Sequence, residues 1–185
     1  YMQPPLAIWS QSLFFRLFGE SFFVERFYSL IMAVCTVIAM RLNWSLFSNQ
    51  SEEKNFSWLP ILFWVVTPII FWSYKNNMIE NTLAVIVLLS VYFLVKGLKK
   101  RDILYQIIGG LLILAAVWTK GLVGLFPLAV ILVYYISFRE FSFLKAVVLT
   151  TLVFLVVIGA FFILTLLDSG FMEYVDSYLK HQLLP

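Results

Sequence analysis

The sequence predicts an all-α integral membrane protein, a bundle of about six transmembrane helices with a short helix on the membrane surface, and three observations support this fold class. Of its 185 residues, 62% are hydrophobic and only 12% are charged, whereas soluble domains have about a quarter charged residues. The apolar residues form stretches near the roughly 20 residues that a membrane-crossing helix needs. Tryptophans often lie near the ends of these stretches, as in an interfacial aromatic belt.

Residues 1–21 are predicted to form an extracytoplasmic segment that lies along the membrane interface. Pro4 and Pro5 open a short helix, because proline suits the first helical turn, and Gly19 ends it. Apolar side chains recur along one side of this helix, at Leu6, Trp9, Leu13 and Leu17. The pattern is typical of an amphipathic helix at the membrane surface.

Six apolar stretches within residues 22–167 are expected to cross the membrane. They are Phe22–Leu46, Phe56–Tyr74, Met78–Val95, Ile103–Thr119, Leu122–Phe138 and Phe143–Leu167. Residues 168–185 are more polar, and we expect them to begin another extracytoplasmic segment. The sequence 1–185 is thus one transmembrane domain, and because it starts at Tyr1 without an initiator Met we expect it to be a fragment of a longer protein.

Basic residues set the predicted orientation. A short loop contains Lys96, Lys99, Lys100 and Arg101, and such loops remain cytoplasmic. Alternation then puts the turns at 74–79 and 119–121 on the extracytoplasmic side. The N-x-S sequons at Asn43 and Asn55 fall on the cytoplasmic side, so their glycosylation would indicate an inverted topology. The small net charge of +3 argues against a nucleic-acid partner.

The sequence contains no phosphate-binding glycine loop and no nucleophile elbow, so the candidate residues are polar groups on the extracytoplasmic side. Glu80 begins a helix, where the helix dipole alone could explain a carboxylate; the functional alternative is a ligand for a divalent metal ion or a group that orients a substrate. Lys120 lies between two spans. It could simply reach the headgroup layer, or it could bind a lipid phosphate.

The other candidate residues can also be explained without a functional role. Arg26 could bind phosphate or only mark the interface, and Trp9 could be an interfacial anchor. Asn77 precedes Glu80 in the same turn. His181 is the single histidine; it is expected on the same membrane side and could be merely solvated.

At these residues the chain resembles the superfamily of protein O-mannosyltransferases and aminoarabinose transferases of lipid A. The resemblance rests on Gln3-Pro4-Pro5-Leu6 with Trp9, Leu17-Phe18-Gly19 and Arg26, Asn77-Met78-Ile79-Glu80-Asn81-Thr82-Leu83, Thr119-Lys120-Gly121, and Gly170-Phe171 through His181-Gln182. Relatives often have Lys or His where this chain has Gln3, so a charge-based role does not carry over to that position.

The resemblance implies a GT-C-type glycosyltransferase whose active face is extracytoplasmic. The composition and the Asn77-Met78-Ile79-Glu80-Asn81-Thr82 stretch favour a bacterial inner membrane, where that face is periplasmic. The resemblance also implies an undecaprenyl- or dolichyl-phosphate-linked sugar donor and an extracytoplasmic acceptor hydroxyl on lipid A, a protein or a glycan. The implied substrate-binding set is Gln3, Pro4, Pro5, Trp9, Arg26, Asn77, Glu80, Lys120 and His181, with Glu80 also the candidate metal ligand. It further implies a catalytic Asp upstream of Tyr1, so no catalytic residue is assigned within the chain.

Two other classes remain open from the residues alone. A transporter or flippase would also be polytopic, although Pro60, Pro68 and Pro127 form no matched pair of interrupted helices. A non-catalytic membrane subunit is the third possibility. An Asp-Glu or Asp-His pair after a first hydrophobic span in the upstream sequence would favour the transferase.

Overall fold

A computed structural model describes residues 4–48 and 56–167, and within these ranges every regular element is helical. The predicted all-α membrane fold is therefore confirmed. The elements are α1 (Leu6–Phe18), α2 (Phe22–Phe47), α3 (Leu59–Val66), α4 (Pro68–Lys75), α5 (Ile79–Lys100), α6 (Ile103–Lys120), a 3₁₀ segment (Gly121–Leu128), α7 (Ala129–Phe138) and α8 (Phe143–Leu167).

Four stretches of the described residues are long and apolar enough to cross a membrane. They are Phe22–Phe47, Ile79–Lys100, Ile103–Phe138 and Phe143–Ile163. The expected span Phe56–Tyr74 is present as two eight-residue helices, α3 and α4. Thr67 between them is extended, because the ring of Pro68 disfavours helical geometry in the preceding residue.

The stretch Ile103–Phe138 is not one straight rod, because the chain reverses after Lys120. Gly121 has φ +65°, a conformation that glycine adopts without a steric penalty. Gly124 then lies so close to α6 that a Cβ on it would come within 2.3 Å of the backbone of Ala116 and Val117. The turn expected at 119–121 is thus present, and the expected span Leu122–Phe138 consists of the 3₁₀ segment and α7.

The antiparallel pair α5 and α6 forms the centre of the bundle. Arg101, in the left-handed conformation, ends α5, and Asp102 caps α6 by accepting a hydrogen bond from the backbone N–H of Leu104 at 2.9 Å. Fully buried side chains from several helices make up the core: Leu94, Ile113, Ile131 and Val153. Helices α2, α7 and α8 pack around this pair and expose large apolar side chains, as expected of lipid-facing surfaces.

Helix α2 is fastened to α5 by a side-chain amide. Asn43 Nδ2 donates to the carbonyls of Ala39, at 2.8 Å, and of Leu88, at 2.9 Å. At its other end α2 is linked to α4, where Ser29 Oγ donates to the Tyr74 carbonyl at 2.5 Å. These contacts fix α2 along the central pair with its N-terminal end on the side where α5 begins.

Candidate functional site

An ion pair joins Glu80 at the start of α5 to Lys120 at the end of α6. The Lys120 Nζ donates to Glu80 Oε1. In an antiparallel helix pair, the start of the first helix and the end of the second lie at the same end, so the fold itself brings these residues together. The side chains are 38% and 45% exposed, and a ligand at this face can therefore reach both.

The turn that ends α6 fixes the position of Lys120. Thr119 is fully buried, and its Oγ1 donates to the Ala115 carbonyl at 2.8 Å. Directly after Lys120, Gly121 reverses the chain. The lysine side chain therefore starts directly after a buried, hydrogen-bonded residue, and its ammonium is held by Glu80.

A tight turn between α4 and α5 fixes the position of Glu80. Asn77 has φ +48°, which Asn tolerates better than most residues, so its residue type is explained by the turn. Buried Asn81 locks the turn: its Nδ2 donates to the Ser73 carbonyl at 3.1 Å, and its Oδ1 accepts from Ser73 Oγ at 2.6 Å.

Helix α1 packs against α2, α5 and α6 at this same end of the bundle. A chain of hydroxyl groups links three of these helices: Ser10 Oγ lies 3.0 Å from Tyr28 Oη, which lies 2.7 Å from Thr82 Oγ1. Trp9 meets Trp118 edge to face, with ring centroids 6.2 Å apart. Trp118 lies two residues before Lys120, so this aromatic contact is at the same end of the bundle as the ion pair, although residues two apart on a helix project to different sides.

The structure brings some of the predicted site residues together and leaves others apart. Pro4 is buried and Pro5 precedes α1, which carries Trp9. Arg26 lies near the same end of the bundle, but its guanidinium is exposed and packs over the Phe22 ring, 5.5 Å from its centroid. No contact of Arg26 with Glu80 or Lys120 is described. Gln3, His181 and Asn55 lie outside the described residues.

The described residues do not supply a complete metal site at Glu80. Residues 4–48 and 56–167 contain no group of three side chains of the types that bind metal ions. The Glu80 carboxylate already has a cationic partner in the Lys120 ammonium. The role of Glu80 as a metal ligand therefore stays a prediction, and a metal ion there would require further ligands from elsewhere in the protein.

A bundle of apolar helices with a part-exposed ion pair and an aromatic contact at one end defines a multi-pass membrane protein with a polar site at the membrane surface. The family model described as "Dolichyl-phosphate-mannose-protein mannosyltransferase" matches residues 2–164. The chain belongs to this family and is a membrane glycosyltransferase of the mannosyltransferase type. Neither the curated proteins nor the solved structures gave a match. The recognised resemblance is thereby confirmed, and the family favours the transferase over the transporter or flippase.

Sequence reasoning missed the residues that fix the geometry of this end. Ser10, Tyr28 and Thr82 are separated by tens of positions, and no local pattern marks their hydroxyl groups as partners. Asn81 and Ser73 form their turn over eight residues, and they could have been suspected from the polar run that follows Tyr74. The Asn-Asn sequence at 76–77 was the available signal, since Asn favours left-handed turn positions.

Proposed function

We propose that this protein transfers a sugar from a polyprenyl-phosphate donor to an extracytoplasmic hydroxyl group, and that Lys120 binds the donor phosphate. The observation that carries the proposal is the half-exposed Lys120–Glu80 pair in a member of a mannosyltransferase family. An ammonium at the membrane surface is chemically matched to a lipid phosphate, because charge-assisted hydrogen bonds to phosphate are among the stronger ones in proteins.

The transfer forms a bond between the acceptor oxygen and the sugar C1 and breaks the bond between C1 and the phosphate oxygen. The acceptor hydroxyl loses its proton to a general base, and polyprenyl phosphate leaves with an additional negative charge. A lysine ammonium has three N–H donors, and one of them points to Glu80. The other donors are available to stabilise the charge that develops on the departing phosphate.

Glu80 acts in this proposal by holding the Lys120 ammonium at the mouth of the site and by orienting the acceptor. Trp9 and Trp118 form an aromatic contact at the same end of the bundle, and tryptophan rings are well suited to a membrane surface because they are amphipathic. The general base is an Asp outside the described residues, as the family resemblance implies. Glu80 as a metal ligand remains a prediction beside this role.

The proposed setting is a bacterial inner membrane with the Glu80–Lys120 face towards the periplasm. The basic residues expected in a loop at 96–101 lie in the last turns of α5 and at Arg101 directly after it. They support this orientation, since basic residues near the ends of spans stay in the cytoplasm. The proposed acceptor is a hydroxyl of lipid A, a protein or a glycan. The donor is an undecaprenyl- or dolichyl-phosphate sugar.

Lys120→Ala in the full-length protein tests the assignment. Membranes that contain each variant are incubated with polyprenyl-phosphate-linked labelled mannose or aminoarabinose, and transfer to acid-stable product is measured. We expect kcat to fall by about 10²–10³-fold, the typical cost of removing one donor that stabilises transition-state charge.

Lys75→Ala is the matched control. Lys75 is an exposed lysine at the end of α4, close to the same membrane face, and we expect its loss to leave transfer unchanged. Near-normal turnover of Lys120→Ala, or equal impairment of both variants, would contradict the proposal. Equal impairment would mean that general surface charge is what matters.

A further inference from the structure

A cavity with several charged lining residues lies at the opposite end of the α5–α6 pair from Glu80 and Lys120. It has a volume of about 310 Å³ and is formed by the end of α5, the start of α6, the loop before α8 and the first turns of α8. Three of its lining residues are basic: Lys99, Arg101 and Lys145. Since α5 has 22 residues, a rise of about 1.5 Å per residue puts roughly 30 Å between this cavity and Glu80. The cavity is therefore separate from the proposed transferase site.

Two carboxylates, of Asp102 and Glu140, also line the cavity and offset part of its positive charge, but neither contacts a cation of the described residues directly. Asp102 accepts from the Leu104 N–H at 2.9 Å, and Glu140 Oε2 accepts from the Tyr134 hydroxyl at 2.8 Å. Among the described residues the one ion pair is Lys120–Glu80, so neither carboxylate is paired with a lysine or arginine. Lys99 donates to the carbonyl of Leu46, a neutral acceptor. With three basic and two acidic lining residues, the cavity has a formal net charge of +1, and its three cations have no carboxylate partner among the described residues.

An apolar groove of about 410 Å³ adjoins this cavity. Two contacts connect them. Lys99, which lines the cavity, lies over the ring of Phe47, which lines the groove, with Nζ 5.4 Å from the centroid. Tyr134 lines the groove, while its hydroxyl bonds to Glu140 in the cavity. The groove is open to the side, because Val133 is 58% exposed.

We propose that the cavity and the groove together bind an anionic glycerophospholipid of the leaflet opposite the Glu80–Lys120 pair. The phosphate is held by Lys99, Arg101 and Lys145, and one acyl chain lies in the groove against Phe47 and Val133. Both volumes suit the purpose, since ligand sites usually measure about 300–1,000 Å³. A soluble phosphate would use the cations but would leave the adjoining apolar groove empty, so the lipid accounts for both features.

The experiment measures lipid binding to the purified full-length protein in detergent by native mass spectrometry, with dioleoyl-phosphatidylglycerol as the probe and dioleoyl-phosphatidylcholine for comparison. The test variant is Arg101→Gln/Lys145→Gln. We expect the wild type to prefer phosphatidylglycerol and the variant to bind it about 25-fold more weakly, at roughly fivefold per basic residue.

The chain provides a matched control in Lys100→Gln/Arg139→Gln. Arg139, like Arg101, has positive φ, and Lys100, like Lys145, is exposed. Neither Lys100 nor Arg139 lines the cavity. We expect the control to bind as the wild type does. Equal weakening in both double variants would overturn the proposal, because it would show attraction to general surface charge.

A second pair of variants tests the groove. Val133→Trp fills it, whereas Val148→Trp adds the same bulk at an equally exposed position on α8, outside the groove. We expect only Val133→Trp to weaken phosphatidylglycerol binding. Inorganic phosphate and glycerol 3-phosphate at millimolar concentration should not displace the lipid. Displacement of the lipid by either soluble anion, or normal phosphatidylglycerol binding by Val133→Trp, would overturn the lipid proposal. Either result would mean that the cavity binds anions without using the groove.

Discussion

The two ends of the α5–α6 pair carry charge in different ways. At one end a single lysine is paired with a single glutamate, and hydrogen-bonded turns fix the backbone on both sides. At the other end several basic residues crowd around a cavity whose carboxylates bond to an N–H and a hydroxyl instead. The same helix pair thus has a nearly neutral end and a strongly basic end.

The difference separates two uses of a cation at a membrane surface. A half-exposed ion pair contributes little to stability, about 0–1 kcal/mol, so the rigid turns around Glu80 and Lys120 are better explained by a need for position. Unpaired cations on a loop attract anionic headgroups and set orientation. Accurate placement matters for the first use, and summed charge matters for the second.

Gly124→Val should break the Glu80–Lys120 end most severely. A Cβ at position 124 would lie 2.3 Å from the backbone of α6, so the 3₁₀ segment must move away and displace the turn after Lys120. We expect a loss of at least about 3 kcal/mol in stability, at the upper end of overpacking effects. Thermal unfolding of the purified protein in detergent measures this loss.

Gly159→Val is the control for that variant. A Cβ at Gly159 meets nothing within 4 Å, and we expect a change of less than about 1 kcal/mol, because Val is not a poorer helix former than Gly. A comparable loss of stability in both variants would mean that the close approach of Gly124 is not what holds the turn.

Exchange of the charges in Glu80→Lys/Lys120→Glu should separate stability from catalysis. The ion pair is retained in reverse, so we expect thermal stability within about 1 kcal/mol of the wild type. Transfer should fall at least as far as in Lys120→Ala, by about 10²-fold or more, because a carboxylate then lies where the donor phosphate binds. Transfer at the wild-type rate by this double variant would refute the role of Lys120.

Tyr28→Phe should have the smallest effect, on the docking of α1. The variant removes the hydroxyl between Ser10 and Thr82, and we expect a cost of about 1 kcal/mol, a typical net contribution of such hydrogen bonds. Tyr135→Phe is the control, since the contacts described for Tyr135 are ring contacts with Phe141 and Phe143. Thermal unfolding of both variants provides the comparison; equal values would mean that the hydroxyl chain does not hold α1.

Much of the fold follows from hydropathy because lipid requires long, internally hydrogen-bonded apolar helices. The pairing of Glu80 with Lys120 also follows, once two apolar stretches are joined by the short loop at 101–102. The interruption at Thr67–Pro68 had a visible signal in the proline. The return of Gly124 onto α6 had none, because it depends on packing between segments rather than on local sequence.

The candidate site was predictable in part for the same reason. Residues at helix ends, such as Lys120 and Glu80, are located by counting along the chain. The orientation of an exposed arginine side chain cannot be found in this way. Arg26 packs over the Phe22 ring instead of joining the Glu80–Lys120 pair. Likewise, the basic residues at 96–101 indicated orientation, but the cavity beside them required the loop before α8 and the start of α8 to fold against them.

The amide of Asn43 has a practical consequence for topology mapping. Its sequon lies within helix α2, and the nitrogen that an oligosaccharide would need is shared between two backbone carbonyls. In the folded protein the Asn43 amide is a poor acceptor on either side of the membrane, so a missing glycan there carries no information on sidedness. Acceptor sequons inserted into exposed loops are the appropriate reporters for this protein.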